Sequence, residues 1–239
     1  GTPGWTITAA GEVACSGSFE ALLDYATVDA GGHPWMEVYC FGNLFRDCTA
    51  LVSAPPLTAT NLNTGCYAGM FRGCTGLKTA PALPATRLYD SCYADMFRGC
   101  TSLEQAPELA AMNLSNYCYQ NMFEGCTALA QAPELPATTL AGSCYCGMFE
   151  GCTALTEAPE LPAMTLASAC YDSMFYGCTG LAQAPALPAT TLDSRCYAAM
   201  FGCCTALTQA PVLPAMTLTG NGYECMFTNC TALTQAPAL

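Results

Sequence analysis

Three glutamates, Glu108, Glu134 and Glu160, stand 26 residues apart in the chain. If that spacing folds into stacked turns, their carboxylates come to lie about one strand spacing apart, roughly 5 Å. Retaining glycosidases use two carboxyls at about that separation. Catalysis by such a pair also needs a walled pocket and unlike neighbours that split the two pKa values, and the sequence suggests neither. Hard cations want several oxygens, so a calcium site on this row is the better reading of the two. Nineteen cysteines raise disulfides and zinc. No Cys-x-x-Cys pair is present and four convergent ligands are not evident, so no zinc site is assigned. One histidine, His33 in Gly-Gly-His-Pro-Trp, leaves little material for acid–base work and reads as a surface or capping residue. Leu-Pro-Ala-Thr at 83–86, 135–138 and 187–190 has the shape of a sortase sorting signal. The glycine that signal needs is replaced by Arg87, Thr139 and Thr191, and no apolar tail follows. No catalytic residue, metal or cofactor is assigned, and the chain reads as a non-enzyme.

The elements that position these residues follow from a repeat. Cysteines at 40, 66, 92, 118, 144, 170 and 196 form one series with a step of 26 residues. A second series runs through 48, 74, 100, 126, 152, 178, 204 and 230. The unit is C-Y-x-x-M-F-x-G-C-T-x-L-x-x-A-P-x-L-P-A-T-x-L-x-x-x. Seven full copies begin at Cys40 and a partial eighth begins at Gly222. Residues 1–39 do not fit it and read as an N-terminal capping segment, with 40–239 as the solenoid. Trp5 and Trp35 are expected to cover the first repeat.

Number the unit from its first cysteine. The apolar positions 1, 2, 5, 6 and 9, such as Cys118, Tyr119, Met122, Phe123 and Cys126, fall within about 140° of arc at 100° per residue, which predicts a short helix. Glycine at position 8 predicts a left-handed stop. Leu at 12 and Ala at 15 predict a strand of three or four residues, ended by the proline at 16, which lacks an N–H. L-P-A-T-x-L then returns as an extended arm. One unit cannot bury its own apolar face, but stacked copies can. The fold class expected is an α/β repeat solenoid, a leucine-rich-repeat-like right-handed stack with one short parallel strand and one short helix per turn. Strands stack at about 4.8 Å and helices need about 10 Å, so the helix side is expected to be convex.

The run F-x-G-C-T-x-L, followed by L-x-x-A and a proline, resembles the BspA-like leucine-rich repeats of bacterial surface proteins over about 40–239. This unit is longer than the commoner one and carries Ala-Pro where that family often has a β-branched strand residue. The resemblance implies a secreted or surface-anchored protein of the adhesion and host-contact class, with no catalytic residues to transfer. Structural spacing and glycan binding are the alternatives.

Composition narrows the partners. The formal net charge is −12, with 6 Lys and Arg against 18 Asp and Glu. A nucleic-acid binder needs clustered basic residues, so nucleic acid is not expected. No apolar run approaches the roughly 20 residues of a membrane helix, so membrane insertion is not expected either. Five of the six basic residues, Arg46, Arg72, Lys78, Arg87 and Arg98, precede residue 99, and none falls between 99 and 194. Glu104, Glu108, Glu134, Glu157 and Glu160 fall in the strand segment, beside Gln105, Gln131 and Gln183. These eight residues are the candidate partner-binding surface. They are expected on or beside a concave sheet face, where a basic protein segment or a calcium-bridged ligand would bind.

Two further expectations concern the thiols and the end of the array. Two cysteines eight apart on a helix are about 12 Å apart, too far for a disulfide. Like cysteines of neighbouring repeats could approach to about 5 Å, within reach of a disulfide, although pairing them would leave one of the first seven over. The reading preferred is that both ladders are small buried hydrophobes with mostly free thiols. Leu239 is position 18 of a unit, so the array is expected to lack a cap there.

Overall fold

The computed structural model describes residues 6–217 and 219–237. The expectations about Trp5 and Leu239 concern residues outside that set. The repeats form a solenoid, and its core is one continuous column of Cys, Tyr, Met, Phe, Leu and Ala side chains.

The apolar positions are buried as their spacing predicts, with Cys118, Tyr119, Met122, Phe123 and Cys126 at 0–2% exposure. The element that carries them is not a helix. Among the described residues the one α-helix is α1, Tyr25–Asp29, which lies before the repeat. Positions 1–9 instead form a run of linked turns. Alternate N–H groups bond within the repeat: Ala68 to Gly65 O, Met70 to Tyr67 O and Arg72 to Gly69 O. The others donate to the next repeat: Tyr67 to Cys92 O, Gly69 to Ala94 O, Phe71 to Met96 O and Gly73 to Arg98 O. Every N–H from Gly65 to Cys74 is thereby satisfied, as buried backbone requires.

This alternation needs a left-handed residue every four positions. Gly65, Gly69 and Gly73 have φ of 61°, 62° and 73°, and Ser91, Asp95 and Gly99 repeat the pattern at 55°, 55° and 73°. Each is the third residue of a four-residue turn, where a positive φ marks the type II form. The apolar pattern 1, 2, 5, 6, 9 has period four, close enough to 3.6 to imitate a helix over two turns.

After the first repeat, where Leu51–Ser53 forms the expected three-residue strand, the strand segment is shorter than expected. It is a ladder of single parallel bridges at position 14, joining Thr79 to Gln105, and Gln131 to Glu157, Gln183 and Gln209 in turn. The proline two residues later has no N–H to extend the pairing. A second bridge row lies in the returning arm at position 22, where Asn61, Arg87, Asn113 and Thr139 pair in succession.

The turn run brings repeats nearly as close as strands come. Tyr rings stack at 5.8–6.0 Å down one column. Phe rings stack at 5.5–5.8 Å down the other. Against about 10 Å for packed helices and about 4.8 Å for strands, the mismatch that would force a convex helix side nearly vanishes.

The N-terminal segment adds to the first rung. Its strand β1, Val13–Ala14, pairs in parallel with β2, Leu51–Ser53. Ile7 N–H donates to Leu44 O at 2.7 Å. Phe19 sets its ring edge against Phe41 and Phe45 at 6.2 and 5.4 Å. Phe19 covers the first aromatic rung, and Trp35, 74% exposed, does not. No helix among the described residues is long and apolar enough to cross a membrane.

Candidate binding surface

The position-14 row places amide and carboxylate side chains on consecutive rungs because bridge partners stand directly beside each other. Gln131, Glu157 and Gln183 are joined in one such chain, and all three are exposed. Gln105 is bridged to Thr79 on its other side. Glu104 is exposed and its N–H donates to Lys78 O at 2.9 Å.

Three residues beyond the row, Glu134 and Glu160 line one open groove of about 310 Å³. Pro133, Pro136, Pro159 and Pro162 wall it. Prolines fix the backbone of both walls, so the two glutamates sit on a rigid frame. Glu157 and Gln183 line an adjoining groove of about 570 Å³ with Thr156 and Pro185. The structure thus brings together Gln131, Glu134, Glu157, Glu160 and Gln183. Glu104, Gln105 and Glu108 are exposed in an earlier repeat, and Glu108 lines neither groove. The surface is a bridge ladder with proline-walled clefts, not the face of a sheet. Among the described residues no group of three or more His, Cys, Asp or Glu side chains is placed to hold a metal ion.

All nineteen cysteines are free. Those at position 9 have a role the sequence did not announce. The Cys126 thiol donates to Phe97 O at 3.1 Å, and Cys74, Cys100, Cys152, Cys178 and Cys204 repeat the contact at 3.0–3.1 Å. Each thiol therefore ties its repeat to the one before. Burial pushes the Cys92, Cys144 and Cys152 thiols from the ordinary 9.0 up to about 12.

A second cavity lies at the start of the array. His33, Trp35, Asn61, Arg87 and Tyr89 line a space of about 250 Å³. Trp35 and Tyr89 are exposed aromatics, and the Arg87 guanidinium lies 5.5 Å from the Tyr89 ring centre. Behind them Glu20 is buried at 3% exposure. Its carboxylate takes His33 Nδ1 at 2.6 Å and the Thr58 hydroxyl. His33 is the surface residue its sequence context suggests, its side chain 43% exposed, with one ring nitrogen held by that carboxylate. Sequence reasoning missed this site because its parts come from the head and two different repeats. The one signal was the Gly-Gly-His-Pro-Trp run, which does not fit the repeat.

No family model, no curated protein and no solved structure matches this chain.

Proposed function

We propose that this chain is a non-enzymatic protein-binding or adhesion module of a bacterial cell surface, of the BspA-like leucine-rich-repeat kind with a right-handed winding. Its binding surface is the bridge row with its proline-walled clefts. The observation that carries this is the placement of Glu134 and Glu160 in one rigid groove beside the bridged Gln131–Glu157–Gln183 row. Acids stacked at rung spacing repel each other and oppose stability. A basic protein segment lying along the row would neutralise them, and the association would weaken with salt. The buried thiols suit an exposed location. The thiolate is the form that attacks and oxidises, and burial keeps these groups protonated. Replacing Glu108, Glu134 and Glu160 together by Gln is expected to reduce binding to a partner captured by the parent, with the melting temperature kept. Equal binding by the triple variant would reduce the row to a solvated face and leave a structural spacer as the reading.

The glycan-binding alternative has its own observation in the cavity at Trp35 and Tyr89. Exposed rings offer a stacking plane for a sugar, and Asn61, Arg87 and His33 offer hydrogen-bonding groups for hydroxyls. Titration with oligosaccharides should quench tryptophan fluorescence in the parent but not in Trp35→Ala. Equal responses, or none, would remove this reading.

A further inference from the structure

Position 7 of the turn run turns outward and carries an ordered change of charge. In successive repeats it reads Arg46, Arg72, Arg98, Glu124, Glu150, Tyr176. The backbone holds these residues in register, since Asp47, Gly73, Gly99, Gly125 and Gly151 donate to the position-7 carbonyls of the next repeat at 2.6–2.7 Å. Within one chain this row is neutralised only in part: Arg46 lies 3.4 Å from Asp47 and Arg98 lies 3.2 Å from Asp95. Arg98 pairs with Glu124 at 2.7 Å, where basic and acidic halves meet. Among the described residues Arg72 and Glu150 have no ion-pair partner within 4.0 Å.

We propose that this face pairs with the same face of a second copy of the chain, the two stacks running antiparallel about a two-fold axis. A two-fold interface sets one patch against itself. With the axis between the Arg98 and Glu124 rungs, Arg98 faces Glu124, Arg72 faces Glu150, and Arg46 faces the Tyr176 ring, a cation–π arrangement. Each contact occurs twice. Parallel stacks would instead set arginine on arginine and glutamate on glutamate. The flanking rows agree. Position 8 is Gly73, Gly99, Gly125 and Gly151 over the central rungs, which lets the backbones approach. Position 4 sets Asp95 opposite Asn121, and position 3 sets Ala68 opposite Cys146, with no like charges meeting. Glu150 is held above the usual carboxylate range first by partial burial and then by the Glu124 charge, and a facing arginine relieves the second. Six rungs at 5.5–5.7 Å make a short patch. So short a patch lies at the low end of the sizes specific interfaces bury, and the dimer is weak and salt-sensitive.

Sedimentation equilibrium of the full chain tests this between about 1 and 100 μM, the range that suits a small interface. The parent is expected to dimerise at low salt and to dissociate as salt rises. Arg72→Glu and Glu150→Arg each place like charges across the axis and are expected to weaken association at least about tenfold. An equimolar mixture of these two single variants should dimerise again, because each supplies the charge the other lacks, and the double variant should dimerise with itself. Melting temperatures establish that each variant is folded. Should a reversal unfold the chain, Arg72→Gln and Glu150→Gln carry the same test through their loss of affinity. A parent that stays monomeric, a dimer indifferent to the substitutions, or folded single variants that do not recombine would each overturn the proposal.

Discussion

At position 9 a cysteine does what neither alanine nor serine does as well. It fills a small buried space and its weak S–H donor reaches the Phe carbonyl of the repeat before, as Cys126 does to Phe97 O at 3.1 Å. Cys126→Ala removes the bond and leaves a small void. It is expected to cost about 1–2 kcal/mol, measured by urea unfolding. Cys126→Ser keeps a donor in place and should lose less if the hydrogen bond matters. A serine variant less stable than the alanine one would show that the thiol serves mainly as apolar filling.

The turn run is an element built from two demands. Alternate amides must leave the turn to reach the neighbouring repeat, and every fourth residue must turn left-handed to let them. Gly125 has a φ of 72°, and a Cβ there would meet only Gly99 at ordinary contact distances of 3.7–3.9 Å. Space therefore does not explain the glycine, and backbone conformation does. Gly125→Ala is expected to destabilise by about 1–2 kcal/mol, the cost of holding an L residue left-handed. A variant as stable as the parent in denaturant would refute this. The side chains pay the run back in burial. Phe123 stacks between Phe97 and Phe149 at 5.7 Å on both sides. Phe123→Ala should cost about 3–5 kcal/mol in the same measurement, since a gap in a stacked column has no neighbour free to fill it.

At the scale of the whole molecule the buried thiols act together. An acid whose folded pKa is raised is neutral in the native state and ionises first in the unfolded one. Its contribution is fully present below the unfolded value of 9.0 and is lost as pH climbs from there toward the folded value of about 12. Cys74, Cys92, Cys144, Cys152 and Cys204 all reach about 12, with burial the largest cause. Each titrating thiol adds a slope of up to about 1.4 kcal/mol per pH unit. Melting temperatures taken under reductant should stay level up to about pH 8.5 and fall steeply above about 9. A melting temperature unchanged from pH 8 to 10.5 would mean that the thiols are not buried as protonated groups.

The period of the chain, the identity of the core side chains and the need to stack were legible in the residues alone. Burial depends on which side of the chain is apolar, and Cys118, Tyr119, Met122, Phe123 and Cys126 declare that side whatever backbone carries them. The type of element was not decided by that pattern, because periods of 3.6 and 4 diverge little over nine residues. A cue was present in Gly65, Gly69 and Gly73, four apart, but in other repeats Ser91, Asp95, Tyr117 and Asn121 hold the same left-handed positions. Those residues adopt it only because the next repeat supplies a carbonyl for each outgoing N–H, and that partner lies some 25 residues away. The same holds for the sites. Glu134 and Glu160 were readable as neighbours from their repeat spacing, whereas the cavity of His33, Trp35, Arg87 and Tyr89 was not. Its residues share no period, and only the packing of the head against the array brings them together.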